Sequence, residues 1–409
     1  MEAKDSPFSV PKWGPTSYVR AFVYVASGMA VSVQLFVLLV LLTPFAVVAP
    51  PLFRLISRWA VGVVTSWAVV VWSCFNGHVR FVLTGDTASL KDRAVFFCNH
   101  QTLLDWWFLG LFTWHANRIE GFKIILMHYL RNVPFFGWIA YLVGFIFFKQ
   151  RLAMDQETLA SALNPIPTRP KEPFWLFIFP EGFLVHKRNL LRTKDYIEKL
   201  KQEHPPPSTK YIPRQPEHVI LPRSKGLWNI IQMLNPRDAV APVDTFVDLT
   251  MGYWPSSRGY ESGLYPEHAY SPINVFGIGG ASVLSEMHID VRVLDKGLLR
   301  TLKGLDENDF DDWLKKYWEG KDDLMRHFHK NGTFEGFSRT VDLGKQSLPV
   351  HEQRNYTDMG YGATQRSGFT VTSDGKVVFT VFPKFKDILN LGIVLVFPWV
   401  LVSLRGYLF

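Results

Sequence analysis

The chain has 409 residues, of which 48% are hydrophobic, and it carries a formal net charge of +8. This composition provides for a large buried core and excludes an intrinsically disordered protein. The basic excess suits an anionic membrane surface and phosphate-bearing ligands, while the lack of a basic run interleaved with a recognition motif argues against nucleic acid as a partner.

The first predicted elements are two apolar segments near the N-terminus. No charged residue lies between Arg20 and Arg54, and this gap exceeds the ~20 apolar residues that a membrane-spanning helix needs. A second uncharged stretch between Arg58 and Arg80 predicts another membrane helix. No small-residue cleavage site follows the first segment, which favours a membrane helix over a cleaved signal peptide. Prolines between the segments leave two arrangements open, namely two spanning helices or a hairpin that enters one leaflet.

Two further apolar segments lie later in the chain. Residues 132–148 hold no charge but contain one proline and two glycines, which predicts a buried or leaflet-embedded segment. Residues 388–404 predict a C-terminal membrane helix that is interrupted by Pro398. The two cysteines, Cys74 and Cys98, lie in apolar segments and give no disulfide framework.

Predicted strands and helices alternate along the central part of the chain. Short apolar or alternating runs predict strands at residues 78–85, 94–100, 174–182, 218–222 and 238–250, one or two strands within residues 275–294, and a hairpin at 369–382. Apolar residues spaced three to four apart predict helices at residues 103–116, 155–163, 226–234 and 310–328. The alternation predicts an α/β domain whose mixed sheet is flanked by helices, with an active site at the ends of strands.

The predicted organisation has four parts. They are N-terminal membrane helices over residues 1–78, a single α/β domain over residues 79–334, a C-terminal extension with the β-hairpin over residues 335–385, and a C-terminal membrane segment over residues 386–409. A pair of histidines, His327 and His329, lies on the predicted helix 310–328 or just after it. No further histidine or cysteine clusters near them, so we expect a solvated helix face and no metal site.

One segment carries a pattern of chemical interest, Asn99-His100-x4-Asp105. His100 follows a predicted buried strand and precedes a predicted helix. If His100 lies in the turn and Asp105 reaches back from the first helical turn, the carboxylate fixes the imidazole tautomer. The other ring nitrogen is then free to take a proton. This is a base with an orienting partner and no protein nucleophile.

A second segment, Phe179-Pro180-Glu181-Gly182, ends a strongly apolar strand. A buried carboxylate is costly there unless it has a partner. Pro180 and Gly182 shape a turn that would direct Glu181 into a cleft at the strand ends. A turn of this kind is commonplace by itself, but its combination with the His-x4-Asp pattern and the membrane segments favours a functional role.

Together these segments resemble the first and third motifs of the glycerolipid acyltransferases, the 1-acylglycerol-3-phosphate acyltransferase superfamily. Residues 132–138 and 144–151 resemble the second motif. Leu221-Pro222-Arg223 resembles the fourth region of a branch that holds lysophosphatidylinositol and lysocardiolipin acyltransferases, and a helix like that at residues 309–325 is typical of the same branch. Met127 and Phe183 depart from the family pattern, which often has lysine at the first position and threonine or serine at the second.

The resemblance implies transfer of an acyl chain from acyl-CoA to the free hydroxyl of a lysophospholipid, with acyl-CoA as co-substrate and no cofactor. It implies that His100 is the general base and that Asp105 orients it. It also implies a set of substrate-binding residues: Asn99, Lys149, Arg151, Glu181, Gly182 and Arg223. The expected location is a membrane, and specifically the endoplasmic reticulum.

Three other functions remain open at this point. A phospholipid transacylase that needs no CoA would use the same His100–Asp105 pair. A lipid hydrolase would need a G-x-S-x-G nucleophile turn or a metal cluster, and the sequence has neither. A non-catalytic lipid-binding protein that retains the fold is disfavoured because His100, Asp105 and Glu181 are all present.

Overall fold

The structure is a computed structural model. It describes residues 9–77, 79–149, 152–208, 210–236, 240–255, 263–279, 283–335, 337, 369–371 and 376–393. Arg151, the turn of the predicted C-terminal hairpin and most of the predicted C-terminal membrane helix lie outside these residues.

Helices and strands alternate through the described chain. The helices are α1 (Pro15–Leu41), α2 (Phe45–Val48), α3 (Pro50–Asn76), α4 (Asp105–His115), α5 (Phe136–Leu142), α6 (Leu152–Leu163), α7 (Lys187–Glu203), α8 (Ser224–Leu234), α9 (Pro266–Ala269), α10 (Lys296–Gly304) and α11 (Glu307–Asn331). The strands are β1 (Arg80–Gly85), β2 (Arg93–Cys98), β3 (Phe122–Met127), β4 (Ile146–Phe148), β5 (Phe174–Ile178), β6 (Phe246–Trp254), β7 (Glu286–Val293), β8 (Phe369–Val371) and β9 (Val377–Thr380).

The strands form a single mixed sheet in the order β4-β3-β5-β2-β6-β7-β1-β9-β8. Strands β2 to β6 run parallel to one another, and β7 pairs antiparallel with β6 and parallel with β1. The C-terminal hairpin joins the sheet because β9 pairs antiparallel with β1. The predicted α/β class with a mixed sheet and flanking helices is confirmed.

Both faces of the central strands are buried, as their continuous apolar sequences require. Successive side chains point to opposite faces, so Phe96 and Phe177 pack with α3 and α4, while Phe97 and Ile178 pack with α8 and α11. The sheet therefore separates two apolar cores. The carboxyl ends of β2 and β5 meet at one edge, which is where the two sequence motifs lie.

Two helices, α1 and α3, are long and apolar enough to cross a membrane by length and composition. They pack on each other, with the Trp67 indole donating to the Ser27 hydroxyl at 3.1 Å. Helix α1 also docks on the α/β domain, because Tyr24 stacks on Phe276 with ring centroids 3.8 Å apart. The resulting helical hairpin fits both of the membrane arrangements that the sequence left open. The third apolar segment forms only α5 and β4, so it is too short to span.

One element prediction was wrong. Residues 218–222 form a loop instead of a strand, because the backbone N–H groups of Glu217, His218 and Val219 all donate to the Asp322 carboxylate and are not available to a sheet. The region 275–294 supplies one strand, β7, among its described residues; its first part is the π-helical turn Asn274–Ile278. At the C-terminus, residues 385–393 are helical, and residues 394–409 lie outside the part of the chain that the structure describes.

Candidate active site

His100 lies in the turn between β2 and α4. Its Nδ1 is 2.8 Å from Oδ2 of Asp105, and its ring stacks on Phe179 with centroids 4.3 Å apart. The side chain retains 23% of its exposure, whereas that of Asp105 is fully buried. An Nδ1–H that donates to the carboxylate leaves the Nε2 lone pair for an incoming group. The arrangement is the one that the spacing of the two residues predicted.

Asp105 is the first residue of α4, where the helix dipole favours a negative charge. Its Oδ2 also accepts the backbone N–H groups of Gln101 at 2.7 Å and Thr102 at 3.2 Å. Its Oδ1 accepts the hydroxyl of Tyr253. The carboxylate is thus held by charge-assisted hydrogen bonds on both oxygens, and its orientation toward the imidazole is fixed.

Glu181 lies beneath the same turn and is 1% exposed. One carboxylate oxygen accepts the backbone N–H of His100 at 3.2 Å, and the other accepts the indole N–H of Trp318 at 3.1 Å. Burial raises the pKa of Glu181 well above its usual range, and the backbone N–H groups of His100 and Ile220 act in the opposite direction. Glu181 therefore braces the main chain at His100. Its predicted contact with substrate stays a prediction.

Gly182 and Arg223 lie next to this brace. Gly182 has φ +68°, a conformation that suits glycine, and its N–H donates to the Phe179 carbonyl at 3.1 Å. The Arg223 N–H donates to the Pro180 carbonyl at 2.8 Å, and its guanidinium lies 4.9 Å from the centre of the Phe183 ring. The Arg223 side chain is exposed, and no carboxylate of the described residues pairs with it. Phe183, a departure from the family pattern, thus supports this cation.

The remaining predicted binding residues differ in position. Asn99 is fully buried, and its side-chain amide bonds to both the N–H and the carbonyl of Met251, at 2.8 and 3.0 Å. Lys149 is exposed at the end of β4, where its N–H donates to Asp155 at 2.7 Å. The structure brings His100, Asp105 and Glu181 into contact. Arg151 lies outside the described residues.

Two residues near the site were not predicted from the sequence. Trp318 belongs to the amphipathic pattern of α11 and was interpreted as core, because nothing in that pattern distinguishes an indole that meets a carboxylate. Tyr253 lies three residues beyond the predicted strand at 238–250, in the part of β6 that the sequence did not assign to a strand. Both come from segments more than a hundred residues away from His100 in the chain, so no local motif could find them.

An apolar cavity opens beside the turn that carries His100. Trp106 and Trp107, which directly follow Asp105, line one side of it, and residues of α1, α3 and α5 complete the wall. Gly110 also lines the cavity, and a Cβ added there would meet no atom within 4 Å. The cavity therefore connects the N-terminal helices with the helix that begins at Asp105.

Within the described ranges, no group of His, Cys, Asp and Glu residues has the arrangement of a metal site. His327 lies within hydrogen-bonding distance of the Glu335 carbonyl, and the His329 ring stacks on His218. Both histidines are therefore accounted for by contacts of α11 with its surroundings.

Comparisons with known proteins find two matching families and several related sequences. Residues 80–243 match the family described as Acyltransferase, and residues 303–359 match the family described as Acyltransferase C-terminus. The 2-acyl-1-lysophosphatidylinositol acyltransferase of Saccharomyces cerevisiae is 28% identical over 60% of this chain and 64% of its own length. A probable 1-acyl-sn-glycerol-3-phosphate acyltransferase 5 of Arabidopsis thaliana is 26% identical over 65% of this chain and 62% of its own length. Lysocardiolipin acyltransferase 1 of Mus musculus is 28% identical over 73% of this chain and 69% of its own length.

The fold, the His100–Asp105 pair and these matches define the class of protein. The chain belongs to the glycerolipid acyltransferase superfamily, as its motifs predicted. It spans 64% and 62% of the lengths of the first two relatives, so their activities do not transfer to it directly.

The geometry of Glu181 leads to a first prediction. In Glu181→Gln the amide NH2 replaces an oxygen that now faces an N–H donor, so one hydrogen bond is lost and two donors oppose each other. We expect turnover to fall about tenfold or more, since bonds to charged groups contribute roughly 1.5–3 kcal/mol, while the KM values for both substrates change little. Steady-state kinetics check this. A large rise in one KM at unchanged kcat would instead assign Glu181 to ligand binding.

Proposed function

We propose that this protein is an acyl-CoA-dependent lysophospholipid acyltransferase. The observation that carries the proposal is His100, held by Asp105 at Nδ1 and partly open at its other face, beside an apolar cavity that reaches the N-terminal helices. The relatives are named for lysophosphatidylinositol, 1-acylglycerol-3-phosphate and lysocardiolipin acyltransferases, which favours a lysophospholipid acceptor. We also propose membrane association in the endoplasmic reticulum, where such acceptors are acylated.

The proposed reaction needs one base and no covalent enzyme intermediate. Nε2 of His100 takes the proton of the acceptor hydroxyl as its oxygen attacks the thioester carbonyl carbon. Asp105 stabilises the imidazolium that forms. When the tetrahedral intermediate collapses, the C–S bond breaks and the imidazolium returns the proton to the CoA thiolate. The products are a diacyl phospholipid and free CoA, and the base is regenerated.

The surroundings of the dyad suit both substrates. The apolar cavity between α1, α3, α4 and α5 offers a place for an acyl chain that enters from the bilayer. Arg223 and Lys149 are exposed cations at the same edge of the sheet, and a guanidinium recognises phosphate through paired hydrogen bonds. We therefore assign the acceptor's phosphate to Arg223 and Lys149, with Arg151 as a further candidate.

His100→Ala tests the proposed chemistry. We expect acyl transfer from labelled acyl-CoA to fall by two to four orders of magnitude, which is about what a general base contributes, with membrane insertion unchanged. Purified protein is assayed against lysophosphatidate, lysophosphatidylinositol and lysocardiolipin. His204→Ala, at the end of α7, serves as the control and should retain activity.

The same assay separates the alternatives. A diacyl phospholipid that serves as donor without CoA would identify a transacylase. Wild-type protein that binds lysophospholipid but transfers no acyl chain from either donor would identify a non-catalytic binding protein. Substantial activity in His100→Ala would contradict the proposed base.

Arg223→Gln tests the placement of the acceptor. Loss of a charge-assisted contact should raise the KM for the lysophospholipid about tenfold and leave the KM for acyl-CoA unchanged. Arg223→Lys should be intermediate, since lysine lacks the planar fork that stacks on Phe183. Arg300→Gln on α10 is the matched surface control. The same kinetics are measured for Lys149→Gln and Arg151→Gln. A rise confined to the KM for acyl-CoA would instead assign these cations to the phosphates of the donor.

Gly110→Leu tests the cavity. A Cβ at this position meets no atom within 4 Å, and the rest of the leucine side chain should occupy part of the cavity and so shorten the site. We expect the preference to move to shorter acyl-CoA, with kcat/KM for long chains falling about fourfold per methylene displaced, from ~0.8 kcal/mol for each buried CH2. Gly62→Leu on α3, which also meets no atom within 4 Å and does not line the cavity, is the control. An unchanged chain-length profile in Gly110→Leu would place the acyl chain elsewhere.

A further inference from the structure

Tyr253 makes a contact with the catalytic pair that the reaction scheme has not used. Oδ2 of Asp105 is shared by the His100 imidazole and the N–H groups of Gln101 and Thr102. Oδ1 has a different environment, and its partner among the described residues is the hydroxyl of Tyr253. Asp105 is fully buried, so water does not replace this bond.

The position of the Tyr253 hydroxyl is fixed by packing. Tyr253 lies near the end of β6 and is 2% exposed. Its ring packs against Phe108, one helical turn after Asp105, with centroids 5.4 Å apart, and against Tyr270 at 5.2 Å. A ring held on both sides cannot turn its hydroxyl away from the carboxylate without disturbing its neighbours.

The same strand holds the other end of the catalytic turn. The backbone of Met251, two residues before Tyr253, pairs with the side chain of Asn99. Strand β6 thus holds Asn99 through the main chain of Met251, and it holds Asp105 through the side chain of Tyr253. Two fixed points on one strand define the direction in which the imidazole faces.

The chemistry of the contact favours a donor role for the phenol. Burial and the neighbouring Asp105 charge raise the pKa of Tyr253 well above its usual value, so the hydroxyl keeps its proton. A phenol that donates to a carboxylate draws part of the negative charge toward Oδ1. Less charge then remains on Oδ2, beside the imidazole.

We propose that Tyr253 is a positioning residue of the acyl-transfer site, whose hydroxyl holds the Asp105 carboxylate so that Nε2 of His100 faces the acceptor hydroxyl. This rests on the proposed function, since it assigns a task within that reaction. Tyr253 touches neither substrate in this scheme and acts through Asp105.

A buried tyrosine–carboxylate bond could also serve packing alone, and the chain contains a matched example. The hydroxyl of Tyr317 donates to Asp248 at 2.8 Å, both residues are buried, and Asp248 lies on the same strand as Tyr253. Tyr317 bonds to neither member of the catalytic pair. Tyr317→Phe therefore removes an equivalent bond without changing the contacts of Asp105.

The experiment compares Tyr253→Phe and Tyr317→Phe in the full-length purified protein. For Tyr253→Phe we expect kcat to fall 10- to 100-fold, the range for losing a bond to a charged group, with both KM values within about twofold of wild type. The acid limb of the kcat/KM profile should move to higher pH, because more negative charge beside His100 favours its protonated form. Tyr317→Phe should lower the thermal midpoint of unfolding at least as much as Tyr253→Phe does. It should nevertheless keep the wild-type kcat and the wild-type pH profile of kcat/KM.

Three results would overturn the proposal. They are a wild-type kcat in Tyr253→Phe, an equal loss of kcat in Tyr317→Phe, or a fall in kcat with no shift of the acid limb. A measurement that does not depend on turnover distinguishes failure of the positioning role of Tyr253 from failure of the proposed function. The 15N resonances of His100, identified by their loss in His100→Ala, report its tautomer. Tyr253→Phe should raise the pH at which these resonances change to those of the imidazolium even if the wild-type protein transfers no acyl chain, and an unchanged midpoint would count against the positioning role.

Discussion

The turn between β2 and α4 is polar and largely buried, hydrogen bonds from other parts of the chain hold it, and the organisation of the site depends on it. Buried polar groups cost free energy unless they are paired, so each residue of the turn needs a partner supplied by another part of the chain. The partners come from four segments: Met251 and Tyr253 on β6 for Asn99 and Asp105, Glu181 for His100, the His218 carbonyl for Gln101, and the Tyr270 carbonyl for Thr102. The imidazole direction is therefore a property of the whole domain and not of the His-x4-Asp segment alone.

The C-terminal helix α11 contributes to the same site. Its Trp318 meets Glu181, and one turn later Lys321 forms a fully buried ion pair with Asp248 on β6. Removing both charges from water is costly, and additional hydrogen bonds from Lys321 to the Leu249 carbonyl and the Thr250 hydroxyl offset part of that cost. This pair registers α11 against the strand that holds Tyr253. Through Trp318, the region that matches the acyltransferase C-terminus family thus contacts Glu181, which holds the turn that carries His100.

The sequence was sufficient for the features that depend on local pattern. The apolar runs of β2 and β5, the α/β class and the contact between His100 and Asp105 follow from periodicity and spacing. Residues 218–222 were predicted as a strand because they are apolar, and they are indeed largely buried, but the carboxylate of Asp322 takes the N–H groups that a sheet would need. Tyr253 and Trp318 could not be predicted either, because their significance comes from long-range contacts that no local pattern encodes.

Helix α4 joins two parts of the molecule that are usually considered separately. Its first residue, Asp105, holds the His100 imidazole, and its following turns line the cavity beside α1 and α3. If the acyl chain occupies that cavity, the degree to which it fills the space acts on the same rigid element that aligns the imidazole. An acyl chain whose length does not fit the cavity would then lower the rate of the chemical step as well as the binding affinity. A bilayer around α1 and α3 would in turn affect the reaction through the helices that line the cavity.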